Sequence, residues 1–192
     1  MRNNAVIYNE SFYCIHINDC NDNFSGFTGT NLNSGFLVTY IQKVARKDES
    51  SNTARTYIVL DSETDEIVAY FSLKAGFVSF NEIRRLFRIA FDTIPSVELA
   101  NFAVNGSYIK KHPEAKGIGN YIIKTFILPI VKNAASIVGV KLLYIFALPH
   151  DKLIKHYNEI GFSRLPNSIE RQVHKRIKPR YDRSCIFMYM PL

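Results

Sequence analysis

Between 33 and 46 the apolar positions Phe36, Leu37, Tyr40, Ile41, Val44 and Ala45 recur three and four apart, which is the spacing of one helical face. Asn33 or Ser34 can cap the start, and the polar run KDESSN at 47–52 ends the helix. Before it, AVIY and FYCIHI within 5–17 predict one irregular strand or two. After it come TARTYIVL (53–60) and IVAYFSL (67–73), rich in β-branched and aromatic residues, with polar DSETDE between them. That pattern predicts a hairpin with a longer loop. FVSFNEIRRLFRIAF (77–91) fits either period; the weight falls on a helix from about Asn81, with Arg84, Arg85 and Arg88 facing water.

PSVELANFAV (95–104) reads as a buried strand, followed by a polar, basic loop, NGSYIKKHPEAK. After the GIG turn, Ile122, Phe126 and Ile130 recur four apart with Ile123, Ile127 and Val131 beside them, predicting a helix from Tyr121 to about Ile137. Pro129 lies inside it and removes a backbone donor, so a kink or local break is expected there; Gly139 is placed to cap the C-terminus. KLLYIFAL (141–148) is apolar enough to be buried on both faces. PHDKLIKHYNEIGF then puts Leu153, Ile154, Tyr157 and Ile160 on one helical face, with Gly161 as the stop. A short strand near Phe162, a basic segment to Arg183 and a last strand, CIFMYM (185–190), close the chain. The middle order of strand, helix, strand, helix, strand favours a single α/β domain over 1–192 with a mixed sheet.

Composition narrows the class. The chain has 192 residues, 47% apolar and 21% charged, enough for one domain with a sizeable core. Its beginning, MRNNAVIYNESFYC, lacks a basic-then-apolar leader pattern, and no apolar run approaches a membrane span, so a cytoplasmic protein with no membrane partner is expected. Three cysteines, Cys14, Cys20 and Cys185, without a CxxC, argue against a disulfide framework and against a metal site. The net charge of +7 draws polyanions: nucleic acid, acidic protein or a phosphorylated cofactor.

Three features carry chemistry. Gly117 and Gly119 open a helix. Glycine lets the backbone pass close to a ligand, and the first helical amides have no intrahelical partner. A pyrophosphate fits such a place, although the turn is neither a dinucleotide GxGxxG, since position 122 is Ile, nor a P-loop. Glu98 sits in an otherwise apolar strand, where burial would raise its pKa and make it a candidate general base; a strand-end glutamate paired with an arginine is the plainer reading. Tyr157, on an apolar helical face, is by default a packed residue with its hydroxyl satisfied.

Taken in order, the strand with Glu98, the turn EAKGIG, the following helix, the apolar strand and the ending HYNEIGF resemble the GNAT superfamily of acetyl-CoA-dependent N-acetyltransferases. The resemblance covers 53–162 and extends more loosely to 28–52. EAKGIG matches the family's (Q/R)xxGxG turn, Glu98 lies six residues before Val104 as the family's acidic base does, and HYNEIGF matches FYxxxGF. Glu114 departs from the usual Gln or Arg, the stretch from Val104 to Gly117 is long, His150 stands where an Asn is common, and His156 replaces Phe. The resemblance implies a mixed, mostly antiparallel sheet flanked by helices, with acetyl-CoA as cosubstrate and no metal. It implies direct acetyl transfer to an amine with Glu98 as base and Tyr157 as acid, Tyr144 being the fallback. It also implies that main-chain groups of Phe102, Ala103 and Val104 hold the pantetheine arm and those of Ala115, Lys116, Gly117, Ile118, Gly119 and Asn120 the pyrophosphate.

The acceptor is a small-molecule amine, a peptide or charged tRNA. Some GNAT proteins are toxins that acetylate the amino group of aminoacyl-tRNA, and the hairpin-to-strand region resembles that subgroup. Arg164, Arg171, Lys175, Arg176, Lys178, Arg180 and Arg183, with Lys110 and Lys111, could make a basic rim for RNA, against the plainer reading of a solvated charged face. A non-catalytic coenzyme A-binding or RNA-binding module is the alternative function, and the oligomeric state stays open, a homodimer included.

Overall fold

The computed structural model describes residues 4–31, 34–79, 82–85, 88–91, 93–176 and 184–192, with side chains for all of these except 82–91, 175 and 176. The strands are β1 (Ala5–Tyr8), β2 (Phe12–His16), β3 (Arg55–Asp61), β4 (Ile67–Val78), β5 (Glu82–Arg85), β6 (Arg88–Phe91), β7 (Ile94–Val104), β8 (Leu142–Ala147), β9 (Ser163–Arg164) and β10 (Ile186–Pro191). Eight of them form one mixed, mostly antiparallel sheet in the order β1-β2-β3-β4-β7-β8-β10-β9, and β5 pairs with β6 as a separate hairpin. The helices are α1 (35–50), α2 (Gly106–Lys111), α3 (119–137), α4 (Asp151–Ile160) and α5 (Asn167–Arg176). Backbone contacts divide the chain into two compact units, Met1–Lys74 with Leu99–Pro129, and Ala75–Glu98 with Ile130–Leu192.

In the first unit, Tyr13, Ile15, Ile58, Leu60 and Tyr70 of the sheet pack against Tyr40, Ile41 and Ala45 of α1. The helical face read from the sequence is thus the one buried, at about 1.5–3 kcal/mol for each large side chain. The far end of α1 is fastened by a buried carboxylate, Glu49, which accepts from the Thr56 amide at 2.8 Å, from Arg55 at 2.7 Å and stands 3.0 Å from His16. Ser34 stands at the N-cap but makes no capping bond; its hydroxyl turns back to the Asn31 carbonyl, while Asn33 lies outside the described residues.

Two expectations fail here. The stretch after β7 is not a loop. Asn105 caps α2 by accepting from the Ser107 amide at 3.1 Å, and Tyr108 anchors the helix by donating to Asp61 at 2.7 Å. In the second unit, 77–91 is not a helix: Ile83 faces Ala90 and Arg84 faces Ile89 across the β5–β6 hairpin. The stretch fitted either period, and Ile83, Ile89 and Phe91 are strong strand formers. The side chains of Arg84, Arg85 and Arg88 lie outside the described residues.

α3 is continuous but widens to a π-turn at Ile123–Ile127 just before Pro129. A proline ring crowds the carbonyl four residues back and cannot donate to it; the wider turn relieves that crowding without ending the helix. Gly139 follows α3 but does not adopt the left-handed conformation of a cap, whereas Gly161, at φ +114°, does so after α4. In the second unit, β8 pairs in parallel with β7 and antiparallel with β10, and α5 occupies part of what reads as an unstructured basic segment. Leu142, Tyr144 and Phe187 of the sheet pack with Val78, Leu165 and Val173.

Asn105 is 7% exposed and also donates to the Ile67 carbonyl at 2.8 Å and accepts from the Thr28 amide at 3.1 Å. Asn105→Ala removes a cap worth about 1 kcal/mol and leaves buried backbone groups without partners. We expect a loss of about 2–4 kcal/mol of unfolding free energy, measured by urea denaturation, with the cooperative slope unchanged.

Candidate active site

The GIG turn is built by one residue in the left-handed region. Gly117 has φ +92°, a conformation that side chains disfavour, and it redirects the chain from a short 3-10 turn at Pro113–Ala115 into α3. The amides of Ala115, Lys116 and Ile118 are occupied within the turn, by the carbonyls of His112, Pro113 and Ala115 at 3.0, 3.2 and 3.1 Å. Those of Gly117, Gly119 and Asn120 donate to no backbone carbonyl in this way among the described residues. The main-chain donors expected over 115–120 therefore narrow to these three. Gly117 and Gly119 border a cavity of about 470 Å³ lined also by Thr30, Val104, Ile109, Lys116 and Ile118. Two open amides at a helix start and a lysine fit a phosphorylated ligand.

Glu114, the acid at the head of the turn, does not face this cavity. It is 75% exposed and pairs with His112 Nδ1 at 3.4 Å, while His112 Nε2 lies 3.0 Å from Glu66. His112 also stacks on Tyr108, ring centres 4.3 Å apart. Two carboxylates thus flank one imidazole, and Lys111 pairs with Glu66 as well. Glu114 acts on the turn through His112, and neither it nor Lys111 is left to meet a phosphate.

Glu98 is half-buried on β7, and in the parallel ladder its neighbour is Tyr144 of β8. Burial, followed by the charge and hydrogen bonding of Glu98, pushes the Tyr144 phenol far up. The fallback acid thus stands beside the candidate base. Tyr157 is 5% exposed on α4. The left-handed Gly161 folds the chain back so that the Phe162 amide donates to the Tyr157 carbonyl at 3.0 Å, and Phe162 meets the Tyr157 ring edge-on at 5.4 Å. Burial alone pushes the Tyr157 phenol up, and no hydrogen bond to its hydroxyl is found among the described residues. Of the expected pantetheine-binding residues, Val104 lines the cavity, Ala103 packs in the first unit's core and Phe102 is half-buried on β7.

Thr30 and Ile109 were not legible as site residues. Thr30 reaches the cavity because its loop is fastened to the start of α2: Thr28 accepts from the Gly106 amide at 2.8 Å, and its hydroxyl meets that of Ser107 at 2.9 Å. Only its threonine-and-glycine composition hinted at a loop, with nothing to say where that loop docks. The basic segment is less free than its charge count implies. Arg164 donates to Glu170 at 3.2 Å, and Glu170 is buried and also accepts from the Phe187 amide at 3.1 Å. Arg171 and Lys110 are exposed, and Lys178, Arg180 and Arg183 lie outside the described residues. Among the described residues there is no cluster of His, Cys, Asp and Glu able to hold a metal, and no helix is long and apolar enough to cross a membrane.

No family model matches the chain. Solved structures do match it, over nearly its full length. A mutant of KacT, with one tyrosine replaced by phenylalanine, superposes with a TM-score of 0.66 at 17% identity, covering 95% of each chain. A similar mutant of the toxin AtaT, bound to the C-terminus of the antitoxin AtaR and acetyl-CoA, gives 0.65 at 16% identity, over 95% of this chain and 94% of that one. AtaT complexed with acetyl-methionyl-tRNAfMet gives 0.64 at 17%, over 92% and 93%. The fold is GNAT-like. The sheet and helices expected from the resemblance are those observed, with α2 and the β5–β6 hairpin as the elements that the pattern had concealed.

Glu66 first, and Glu114 after it, hold the His112 pKa above the ordinary imidazole value of 6.5 against the opposing effect of partial burial. A raised folded-state pKa stabilises the protein fully below the unfolded value and loses that contribution as pH rises through the folded one. In a proton-carbon NMR titration, His112 should titrate above an ordinary histidine. Glu114→Gln should lower its midpoint only partly, and Glu66→Gln more.

Proposed function

We propose that the chain is an acetyl-CoA-dependent N-acetyltransferase, working as one domain in the cytoplasm, that transfers an acetyl group directly to a primary amine. The acceptor class proposed is the amino group of an aminoacyl-tRNA, in the manner of a toxin. The observation that carries this reading is the turn: open amides of Gly117 and Gly119 over a cavity of about 470 Å³, in a chain whose fold is that of proteins solved with acetyl-CoA and with acetyl-methionyl-tRNA.

Acetyl-CoA would supply the acetyl group as an activated thioester. The turn amides and Lys116 would hold its pyrophosphate by main-chain hydrogen bonds and one charge. The Thr30 hydroxyl offers a further donor on the same cavity wall. Amides of Phe102 to Val104 would hold the pantetheine arm, and one of them would meet the oxyanion that develops on the thioester. An amine attacks only when neutral, so Glu98 takes its proton, directly or through a water. Tyr157 keeps its own proton at neutral pH because burial raises it, and its hydroxyl makes no hydrogen bond among the described residues. It therefore suits the departing thiolate, whose own proton affinity rises in the same buried surroundings.

Tyr157→Phe should lower kcat at least about a hundredfold, within the usual range for a general acid, and leave coenzyme A affinity unchanged by calorimetry. Glu98→Gln should act likewise. Gly119→Glu should abolish coenzyme A binding, because a carboxylate then occupies the anion site; retained affinity would remove the turn from the site. Unchanged kcat in both the Glu98 and Tyr157 variants would remove these two roles, whereas tight coenzyme A binding with no thiol release from acetyl-CoA on amines, peptides or charged tRNA would leave a coenzyme A-binding module rather than an enzyme.

The acceptor assignment has its own test. A chain of net charge +7 that binds tRNA through phosphates releases counterions, so affinity should fall steeply between about 50 and 200 mM salt. Filter binding of charged tRNA across that range reads the slope, and a flat response would point to a small amine or a peptide instead.

A further inference from the structure

Gly76, on β4, has no backbone reason to be glycine, for its φ lies outside the left-handed region. Its reason is space. A Cβ at this position would stand 2.5 Å from the Tyr144 hydroxyl and 3.2 Å from two ring carbons. A glycine inside a strand commonly marks a place where another group comes close. Here that group is a phenol from β8. Since β7 runs between β4 and β8 in the sheet, the Tyr144 ring spans β7 to reach Gly76. On β7 the residue in register with Tyr144 is Glu98.

The ring has little freedom to move. Tyr144 is 2% exposed, stacks on Phe187 with centres 5.5 Å apart and meets Phe146 edge-on at 6.1 Å. Its hydroxyl is thus fixed by packing from its own side and admitted by a missing side chain on the other. We propose that Tyr144 is a positioning residue for Glu98: its hydroxyl, standing in the space left by Gly76, donates to the carboxylate and holds it ionised in one orientation. The proposal rests on the reading of Glu98 as the base. Burial drives a carboxylate towards its neutral form, which accepts no proton, and a hydrogen bond donated by a neutral phenol favours the charged form instead.

Two substitutions remove the hydroxyl's effect by different routes. Tyr144→Phe deletes it and keeps the ring. Gly76→Ala displaces it and keeps the chemistry. The Glu98 side-chain carbon can be followed directly by carbon NMR of protein labelled at glutamate carboxyls, with the resonance assigned by its loss in Glu98→Gln. The titration midpoint of Glu98 should rise in Tyr144→Phe and in Gly76→Ala, and the double variant should go no further than either alone. The acid limb of kcat/KM for acetyl transfer to charged tRNA should move the same way, giving roughly a tenfold loss on the acid side of neutrality with coenzyme A affinity unchanged. If the midpoint stays put in Tyr144→Phe while circular dichroism shows the fold intact, the proposal is overturned. If the midpoint moves and the rate profile does not follow, the Tyr144–Glu98 pairing stands and the reading of Glu98 as base fails.

Discussion

One buried amide side chain organises everything around the turn. Asn105 closes β7, caps α2, holds the edge of β4 at Ile67 and captures the loop at Thr28. The next residue must be small for this to work, because a Cβ on Gly106 would stand 2.4 Å from the Gly29 carbonyl. A carboxylate in place of the amide could accept from two amides but could not donate to Ile67; an aliphatic residue could do neither. The docking of the loop that carries Thr30, and the start of the segment that leads to Gly117, follow from this one set of bonds.

That arrangement also explains how an acidic residue comes to head a turn proposed to bind an anion. A carboxylate near the open amides would repel a phosphate and compete for the same donors. Here α2 intervenes between β7 and the turn and brings His112 between Glu66 and Glu114, so the negative charge is directed outward and partly neutralised. The longer connection and the unusual acid are therefore one feature. The extra residues build the helix that disposes of the charge.

The strands and the GIG turn were legible because their signals are local. Alternation, β-branched residues and glycine at a forced φ each speak for their own position. Gly161 was legible for the same reason. What stayed hidden depends on partners distant in sequence. The basic run SYIKKH reads as a loop until Asp61 takes the Tyr108 hydroxyl, and 77–91 carries helical and strand periods together until β5 and β6 pair. Thr30 belongs to the site only through a loop docked by hydrogen bonds 77 residues apart in sequence. Glu98 was visible as an oddity in an apolar strand. The phenol beside it was read as a fallback acid and not as a neighbour of Glu98, since register across a parallel pair cannot be read from either strand alone.

Three of the buried tyrosines, Tyr108, Tyr144 and Tyr157, show how partner rather than burial decides a role. All three phenols are pushed up, and burial is the largest cause in each. Tyr108 spends its proton on Asp61 and thereby anchors a helix. Tyr144 stands in register with Glu98 across β8 and β7. Tyr157 has no hydrogen bond to its hydroxyl among the described residues and is kept in place by Phe162 and the left-handed turn at Gly161. On the proposed mechanism the sheet tyrosine then suits a fixed orienting task, and the helix tyrosine, its proton not engaged by an acceptor, suits a transient donation to the departing thiolate.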